Sequence, residues 1–496
     1  MGLERRSAHP PQAPGRKSRW PKGRWLIALA FLLVLGGAVV KMQAFLRPLI
    51  GMAEGLLTLP PGGRILILAP HPDDEVLGCG GLIQSALEQG NEVWIAWMTC
   101  GDGPWLAAER VNRKLRPRPA DYLRLGRQRQ EEARTAARIL GVPEDHLFFL
   151  GYPDQGLAPL WQTYWERPFR SPHTKATAVP YGNSPHPYLG QQVLADLLDL
   201  LGTLQPTRIF TAHPNDAHPD HWATTAFLLL AREAWILTQE TPFPEVYAYL
   251  VHRWEWPRPK GYRADLDLEP PATLAQEGHQ WLTLPLSEAQ IHGKARALEA
   301  HRSQIRSAKA YLHSFVRSNE LFEQLIYPPY GFSSHLWQEG ESIAPEASTD
   351  TPTMKFLPGA EVNAIEVRAD EQRWDLRLSL GGHMLSRLTY RLFLHSLGKE
   401  GTTLVHRKAL VQLPTASASS ATLKAITPLP GPPLLERPIP CRRLPDEWEV
   451  QIPRSWFAPS QVLLYGAEVR WHHWILDRTS LSCWRNPAAD PIPGAR

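Results

Sequence analysis

The sequence predicts an α/β chain: a Rossmann-like, doubly wound parallel sheet, followed by a small all-β sandwich and preceded by an N-terminal transmembrane helix. Three observations carry that reading. Short apolar runs alternate with helical stretches over the first two thirds of the chain, period-two alternation without helices fills the last third, and an uncharged apolar segment lies near the start. At 496 residues the chain also exceeds what one hydrophobic core organises, so two folded domains are expected.

Residues 1–24 read as a basic cytoplasmic head, with Arg5, Arg6, Arg16, Lys17, Arg19, Lys22 and Arg24. Residues 25–41 read as the membrane anchor: the run Trp25 to Val40 is uncharged and close to the roughly 20 residues that span a bilayer. Only Lys41 and Arg47 follow closely, and this asymmetry predicts a cytoplasmic N-terminus with the rest of the chain outside. A cleaved signal peptide is the competing reading, opposed by the long charged head and the poor cleavage site Lys41-Met42-Gln43-Ala44. The net charge of +4 comes from this head; without its seven basic residues and Glu4 the chain carries 46 basic against 48 acidic residues, or −2. No basic footprint for nucleic acid is left. Four cysteines, none in a CxxC pair, are too few for a disulfide framework, and Cys441 and Cys483 are open to pairing or to remaining core thiols.

The first folded domain is expected at 60–340. Arg64 to Ala69 is a near-continuous apolar run ending in a Pro-containing turn, as in a buried parallel strand that feeds a functional loop. Glu75 to Leu87 reads as helix, Asn91 to Thr99 as strand, Arg127 to Leu140 as a helix stopped by Gly141, and Leu147 to Leu150 as strand. Val193 to Leu204 is a further helix and Arg208 to Thr211 a further strand. Such sheets place their sites at the C-terminal ends of strands, and the two His/Asp clusters of the chain fall there. The stretch from Gly156 to Gly190 is rich in Trp, Tyr, Pro and His and has two readings, a substrate-facing lid or a loop pinned down by its rings. Ser287 to Leu325 reads as one or two helices with Ser287 as N-cap. A polar linker follows at 341–356. The β-sandwich is expected at 357–490, where Trp374 to Leu380, Leu388 to Leu394, Trp448 to Ile452 and Val462 to Trp474 alternate with period two.

The chemistry resides in His71-Pro72-Asp73-Asp74-Glu75 and His218-Pro219-Asp220-His221. His71 and Asp74 offer an imidazole and a carboxylate from one loop, and His221 a second imidazole from a distant one. Three protein ligands with an open fourth position are what a catalytic zinc requires; a structural zinc would want four. Asp73, beside a ligand, is placed to take a proton from the attacking water. His218 can face the same pocket and, held protonated, stabilise an oxyanion or protonate a leaving amine, with Asp220 fixing its tautomer. Two His and one carboxylate suit iron(II) as well, but hydrolysis needs no redox metal, which favours zinc. Glu75 reads as a helix-start residue, Arg129 and Glu132 as an ion pair bracing the site, with Arg129 alternatively reaching a substrate phosphate or hydroxyl, and Cys79 and Cys100 as small core residues.

At these residues the sequence resembles the LmbE-like, or PIG-L, family of deacetylases, which includes the GlcNAc-phosphatidylinositol and mycothiol-precursor deacetylases. Arg129-Gln130-Glu131-Glu132-Ala133, running to Leu140-Gly141-Val142, is similar to the family's R-x-x-E-A helix. Phe149-Leu150-Gly151-Tyr152-Pro153-Asp154 is similar to the strand and turn after it, and Lys294, Ala297, Leu298, His301, Ser303-Gln304 and Glu320-Leu321-Phe322 to its C-terminal helix. The resemblance covers about residues 60–330. It implies that His71, Asp74 and His221 are zinc ligands, Asp73 the general base, His218 the electrophilic or acid partner and Asp220 its support. Asp216 is a departure, because some members carry a tyrosine there that assists the transition state.

The expected function is zinc-dependent hydrolysis of an N-acetyl group from a GlcNAc-containing glycan, glycolipid or wall polymer at the outer face of a membrane. Two rivals stay open. The same centre would cleave another amide, on a thiol conjugate or antibiotic precursor, or the chain would be an inert surface protein whose β-sandwich binds glycans.

Overall fold

Apolar runs such as Arg64–Ala69 have no polar face to show to water and must be covered on both sides. In the computed structural model they are the inner strands of an eight-stranded sheet, β1 (Gly55–Leu56), β2 (Arg64–Ala69), β3 (Glu92–Thr99), β4 (Leu147–Tyr152), β5 (Arg208–Ala212), β6 (Glu245–Tyr249), β7 (Trp281–Pro285) and β8 (Asn319–Gln324). The order is β1-β7-β8-β6-β5-β2-β3-β4. Strands β4, β3, β2, β5 and β6 are parallel, and β8 runs antiparallel between β6 and β7. The structure describes residues 55–112, 115–181, 186–239, 241–253, 256–272, 274, 280–325, 358–414, 420–425, 427, 436–444, 446–472, 474–479 and 481–486.

The helices are α1 (Asp74–Glu88), α2 (Trp105–Asn112), α3 (Pro119–Leu140), α4 (Leu157–Gln162), α5 (Gly190–Leu204), α6 (Pro219–Thr238), α7 (Glu288–Ala300) and α8 (Arg302–Leu312). From β2 the chain winds outward through β3 and β4, then returns to lay β5 and β6 on the other side. The switch point therefore falls between β2 and β5, whose C-terminal ends open the crevice in which such sheets bind ligands.

Helix α1 is pressed onto the sheet by its glycines. A Cβ on Gly78 would stand 2.3 Å from the Tyr249 ring. Midway along α1 the Lys294 ammonium donates to the Leu77 carbonyl at 2.9 Å, while Glu320 accepts from the backbone N–H groups of Gly81 and Leu82 at 2.7 and 2.8 Å. Lys294 and Glu320 pair at 2.6 Å, both fully buried, so an ion pair is set into the side of the helix. The helical reading of 287–325 is corrected at its end: α8 stops at Leu312 and Asn319–Gln324 is strand β8, since pairing with β6 and β7 overrides the helix propensity of Glu, Leu and Gln.

The C-terminal part is an antiparallel β domain of strands β9 (Val362–Ala369), β10 (Arg373–Leu380), β11 (Thr389–Glu400), β12 (Thr403–Gln412), β13 (Ser420–Ala425), β14 (Glu436–Arg443), β15 (Glu447–Pro453), β16 (Val462–Trp471), β17 (Trp474–Arg478) and β18 (Ser482–Arg485). Strand β14 pairs with β13 through one part and with β15 through the other. The two halves of the sheet fold over one core that includes Trp374, Leu392, Trp448, Val469 and Trp484. Its outer face is not free: Phe393, Leu397, Leu410, Val462 and Leu464 join Trp161, Trp222 and Phe227 of the first domain in a single apolar cluster.

The rings of the 156–190 stretch pin the loop rather than face a substrate. Trp161, Trp165, Phe169, Tyr181 and Tyr188 are buried in that same cluster. No disulfide joins Cys441 to Cys483, and Cys79 and Cys100 are buried thiols. The basic head at 1–24, the membrane anchor at 25–41 and the linker at 341–356 lie outside the described residues. Among the described residues no helix is long and apolar enough to cross a membrane, which corrects the expected single-pass location with an exported catalytic domain. The two longest helices are too polar: α3 carries Arg124, Arg127, Glu131 and Arg138, and the apolar run of α6 is diluted by His221, Thr224, Thr225, Arg232 and Glu233.

Candidate metal centre

The turn after β2 delivers His71, Asp73 and Asp74 to the crevice, and the turn after β5 delivers Asp216, His218, Asp220 and His221. Three donor atoms converge. His71 Nδ1 lies 3.1 Å from Asp74 Oδ2, His221 Nε2 lies 3.0 Å from the same oxygen, and the two nitrogens are 3.3 Å apart. Two ligands about 2.0–2.1 Å from a tetrahedral ion stand roughly 3.3 Å apart, so this triangle has the spacing of one face of a zinc site.

Each imidazole is held by its outer nitrogen. His221 Nδ1 meets Asp216 Oδ2 at 3.1 Å, and His71 Nε2 meets Asp220 Oδ2 at 3.3 Å and Asp154 Oδ1 at 3.7 Å. A carboxylate on the outer nitrogen fixes the proton there and turns the inner lone pair toward the centre. Asp216 is itself anchored, accepting from the backbone N–H groups of His218, Val251 and His252 at 2.9, 3.0 and 2.9 Å.

The electrostatics ask for a cation. Burial alone would lower the basicity of His221, but Asp216 and Asp74 outweigh it and lift the pKa to about 9. Against the same burial, Asp220 and Asp74 raise His71 well above the usual imidazole value. Buried carboxylates that would hold protons on two histidines are poised to take a divalent ion in their place.

Asp73 sits outside the triangle at φ 127°, a conformation side chains rarely adopt. Its N–H donates to Glu75 Oε2 at 2.9 Å, and its carboxylate accepts from Arg129 Nη2 at 3.1 Å. Burial pushes its pKa up to about 6, against the pull of Arg129. Arg129 also donates to the carbonyls of Pro72 and Gly101, so it braces the turn through Asp73. The expected Arg129–Glu132 pair is not what forms: Glu132 instead accepts from Ser303 N and Oγ at the start of α8. Glu75 is more than a helix-start residue, being buried between the Trp97 indole N–H at 2.8 Å and His301 at 3.2 Å.

His218 lies at the same centre, its ring 4.7 Å from His71 and 5.1 Å from His221. Burial, then His71 and His221, lower its pKa well below the usual value, which opposes the expectation that it is held protonated. Its Nδ1 accepts from the backbone N–H of Asp220 at 3.2 Å. The Asp220 carboxylate turns away, to His71 and to the backbone N–H groups of Gln155 and Leu157 at 2.6 and 3.1 Å. The tautomer of His218 is thus set by the main chain of Asp220, not its side chain. His252, after β6, was missed in sequence; its ring stands 4.6 Å from His221, and with Asp74 and His221 it offers a second set of ligand atoms. Its signal was position alone, the end of the next parallel strand. Asp154 and Asp216, the carboxylates behind the imidazoles, were noted in sequence without that role.

The chain is similar to known proteins over its first domain. Residues 66–232 match the family described as GlcNAc-PI de-N-acetylase, PIG-L. A 1D-myo-inositol 2-acetamido-2-deoxy-alpha-D-glucopyranoside deacetylase from Corynebacterium diphtheriae is 25% identical over 260 residues, covering 50% of this chain and 78% of that protein. One of the same description from Saccharopolyspora erythraea is 32% identical over 174 residues, covering 33% and 51%. Among solved structures, an N,N'-diacetylchitobiose deacetylase from Pyrococcus horikoshii is similar at 19% identity and a TM-score of 0.34, over 53% of this chain and 84% of that one.

Proposed function

We propose that this chain, which carries a PIG-L family domain at residues 66–232 and is an amide hydrolase of the deacetylase type, removes the N-acetyl group of a GlcNAc-type amino sugar with zinc at His71, Asp74 and His221. The observation that carries the reading is the convergence of His71 Nδ1, Asp74 Oδ2 and His221 Nε2 within 3.0–3.3 Å beside a buried Asp73. The curated relatives act on a GlcNAc-inositol, which supports the sugar class.

Zinc bound there supplies Lewis acidity, lowering the pKa of a water and polarising the amide carbonyl. Asp73, with a carboxyl lifted toward neutrality by burial, takes the proton of the attacking water and carries it toward the departing amine. His218 acts as a neutral imidazole: the Asp220 N–H on Nδ1 leaves the ring proton on Nε2, a donor for the oxyanion that forms on the carbonyl oxygen. Asp216 and Asp220 hold the two imidazoles. Iron(II) would fit the donor set but adds nothing a hydrolysis uses.

The test is acetate release by the purified protein from GlcNAc-inositol, GlcNAc oligosaccharides and wall fragments, with metal content measured on the same sample. Release that chelation abolishes and zinc restores is expected. Protein that retains no metal and releases no acetate from any of them would sink the reading.

A further inference from the structure

Trp222 follows His221 directly in the first turn of α6; its ring meets Trp161 of its own domain edge-on at 6.0 Å, and its other partners come from the C-terminal domain. Its indole N–H donates to the Thr479 carbonyl at 2.9 Å, the Arg478 guanidinium lies 4.2 Å over its ring, and Phe393 meets the ring edge-on at 5.5 Å. Thr479 is fixed in turn, its N–H donating to the Ala467 carbonyl at 3.0 Å and its hydroxyl accepting from the Ala467 N–H at 2.9 Å.

The same domain reaches the centre by a second path. Arg478 pairs at 3.0 Å with Glu468, a fully buried carboxylate that also takes Arg470 at 3.0 Å and the side-chain amide of Gln162 at 2.6 Å. Gln162 ends α4, and α4 begins at the segment whose Gln155 and Leu157 N–H groups hold Asp220. Both supports of the imidazole pair, the start of α6 and the segment holding Asp220, therefore lead to one buried arginine–carboxylate network. The carboxylate and Arg478 at the heart of this network are buried, and a buried, paired network keeps its members in one geometry.

We propose that Arg478 and Thr479 are positioning residues of the metal centre, fixing Trp222 and through it the placement of His221 Nε2 against His71 and Asp74. The inference rests on the zinc reading above. It makes the C-terminal domain a working part of the hydrolase, since ligand atoms must be held to about 0.5 Å for a tight site.

The full chain tests it, with zinc affinity measured by competition against a chromophoric chelator, and with thermal unfolding, kcat and KM measured alongside. Arg478→Ala and Trp222→Phe are compared with Arg485→Ala, which breaks the pair to Glu233 at the same domain interface but further along α6. We expect the first two to weaken zinc binding by roughly tenfold or more, the loss usual for supports of metal ligands. The loss in activity should fall in kcat and recover with excess zinc, and Arg485→Ala should bind zinc as wild type does. Trp222→Phe keeps an aromatic side chain, smaller than the indole, and removes the indole N–H donor, so it reports even where Arg478→Ala does not fold. Wild-type zinc affinity in both variants, or an equal loss in Arg485→Ala, would overturn the positioning role alone; wild-type protein that takes up no zinc would overturn the zinc reading and this inference with it.

Discussion

At Asp73 the backbone holds a non-glycine residue at φ 127°, a conformation that costs about 1–3 kcal/mol and persists because Arg129 and Glu75 over-determine it. The strain aims a carboxylate past the donor triangle rather than into it, the placement a base needs and a ligand does not. Asp73→Ala should lower kcat by roughly 10²–10⁴-fold while zinc stoichiometry stays that of wild type by elemental analysis; loss of the metal together with activity would make Asp73 a ligand instead. Asp216→Ala should act on binding, weakening zinc by roughly 10–100-fold in a chelator competition, because it frees the outer nitrogen of His221; unchanged affinity would remove Asp216 from the site. His71, Asp74 and His221 were legible in sequence because two short clusters at strand ends carry both residue type and spacing. His252 was not, since it comes singly after β6, a strand of five residues with no marker beside it. The direction of the Asp220 side chain was equally hidden, for its partners Gln155 and Leu157 come from a separate loop and contribute only backbone.

At the scale of elements, the positions of the two site loops depend on how α1 seats on the sheet. Lys294 and Glu320 are inserted into its side, and each satisfies main-chain groups of the helix as well as the other. Removing one partner leaves a buried charge uncompensated. Lys294→Met should therefore cost about 3–5 kcal/mol in urea unfolding, and the double variant Lys294→Met/Glu320→Gln should recover part of it. A single-variant cost under about 1 kcal/mol would mean that water reaches the Glu320 carboxylate. This arrangement explains which elements could be read in advance. Strands β2 to β5 announce themselves as apolar runs. Strand β8 does not, because Asn319 and Glu320 are polar residues buried for their hydrogen bonds, to the Leu268 N–H and to α1, and a pattern of polarity reads them as helix surface.

At the scale of the molecule, the two domains share a core, and the sequence held a sign of it. The period-two alternation expected over Leu388 to Leu394 holds only up to Leu392: Phe393, on the outer face, is apolar too, as a strand's residues must be when both of its faces are covered. A polar linker ahead of the β domain masked that sign by suggesting an independent module. The shared core also buries an amine. Lys408 on β12 is almost fully enclosed, with Nζ 3.0 Å from His395 Nε2, 4.9 Å from the Trp165 ring and 5.3 Å from the Trp161 ring. The groups around it are His395 on β11, which stacks on Trp161, and His406 and Arg407 on its own strand, so nothing acidic in this group offsets the charge. Burial holds the Lys408 pKa well below the usual lysine value. A lysine whose folded pKa is depressed binds fewer protons in the folded than in the unfolded chain. Stability should then rise with pH from the depressed folded value up to about 10.4, where the unfolded lysine titrates, and level off below the folded value, where both states are protonated. Lys408→Met fills the same space without an amine. It should raise the unfolding free energy by about 1–3 kcal/mol at pH 7, with the gain shrinking as pH approaches 10, when both forms are neutral. An advantage for the methionine variant that is constant with pH would show that Lys408 stays charged in the fold, stabilised by the two indole faces, and that the domain interface carries a permanent cation.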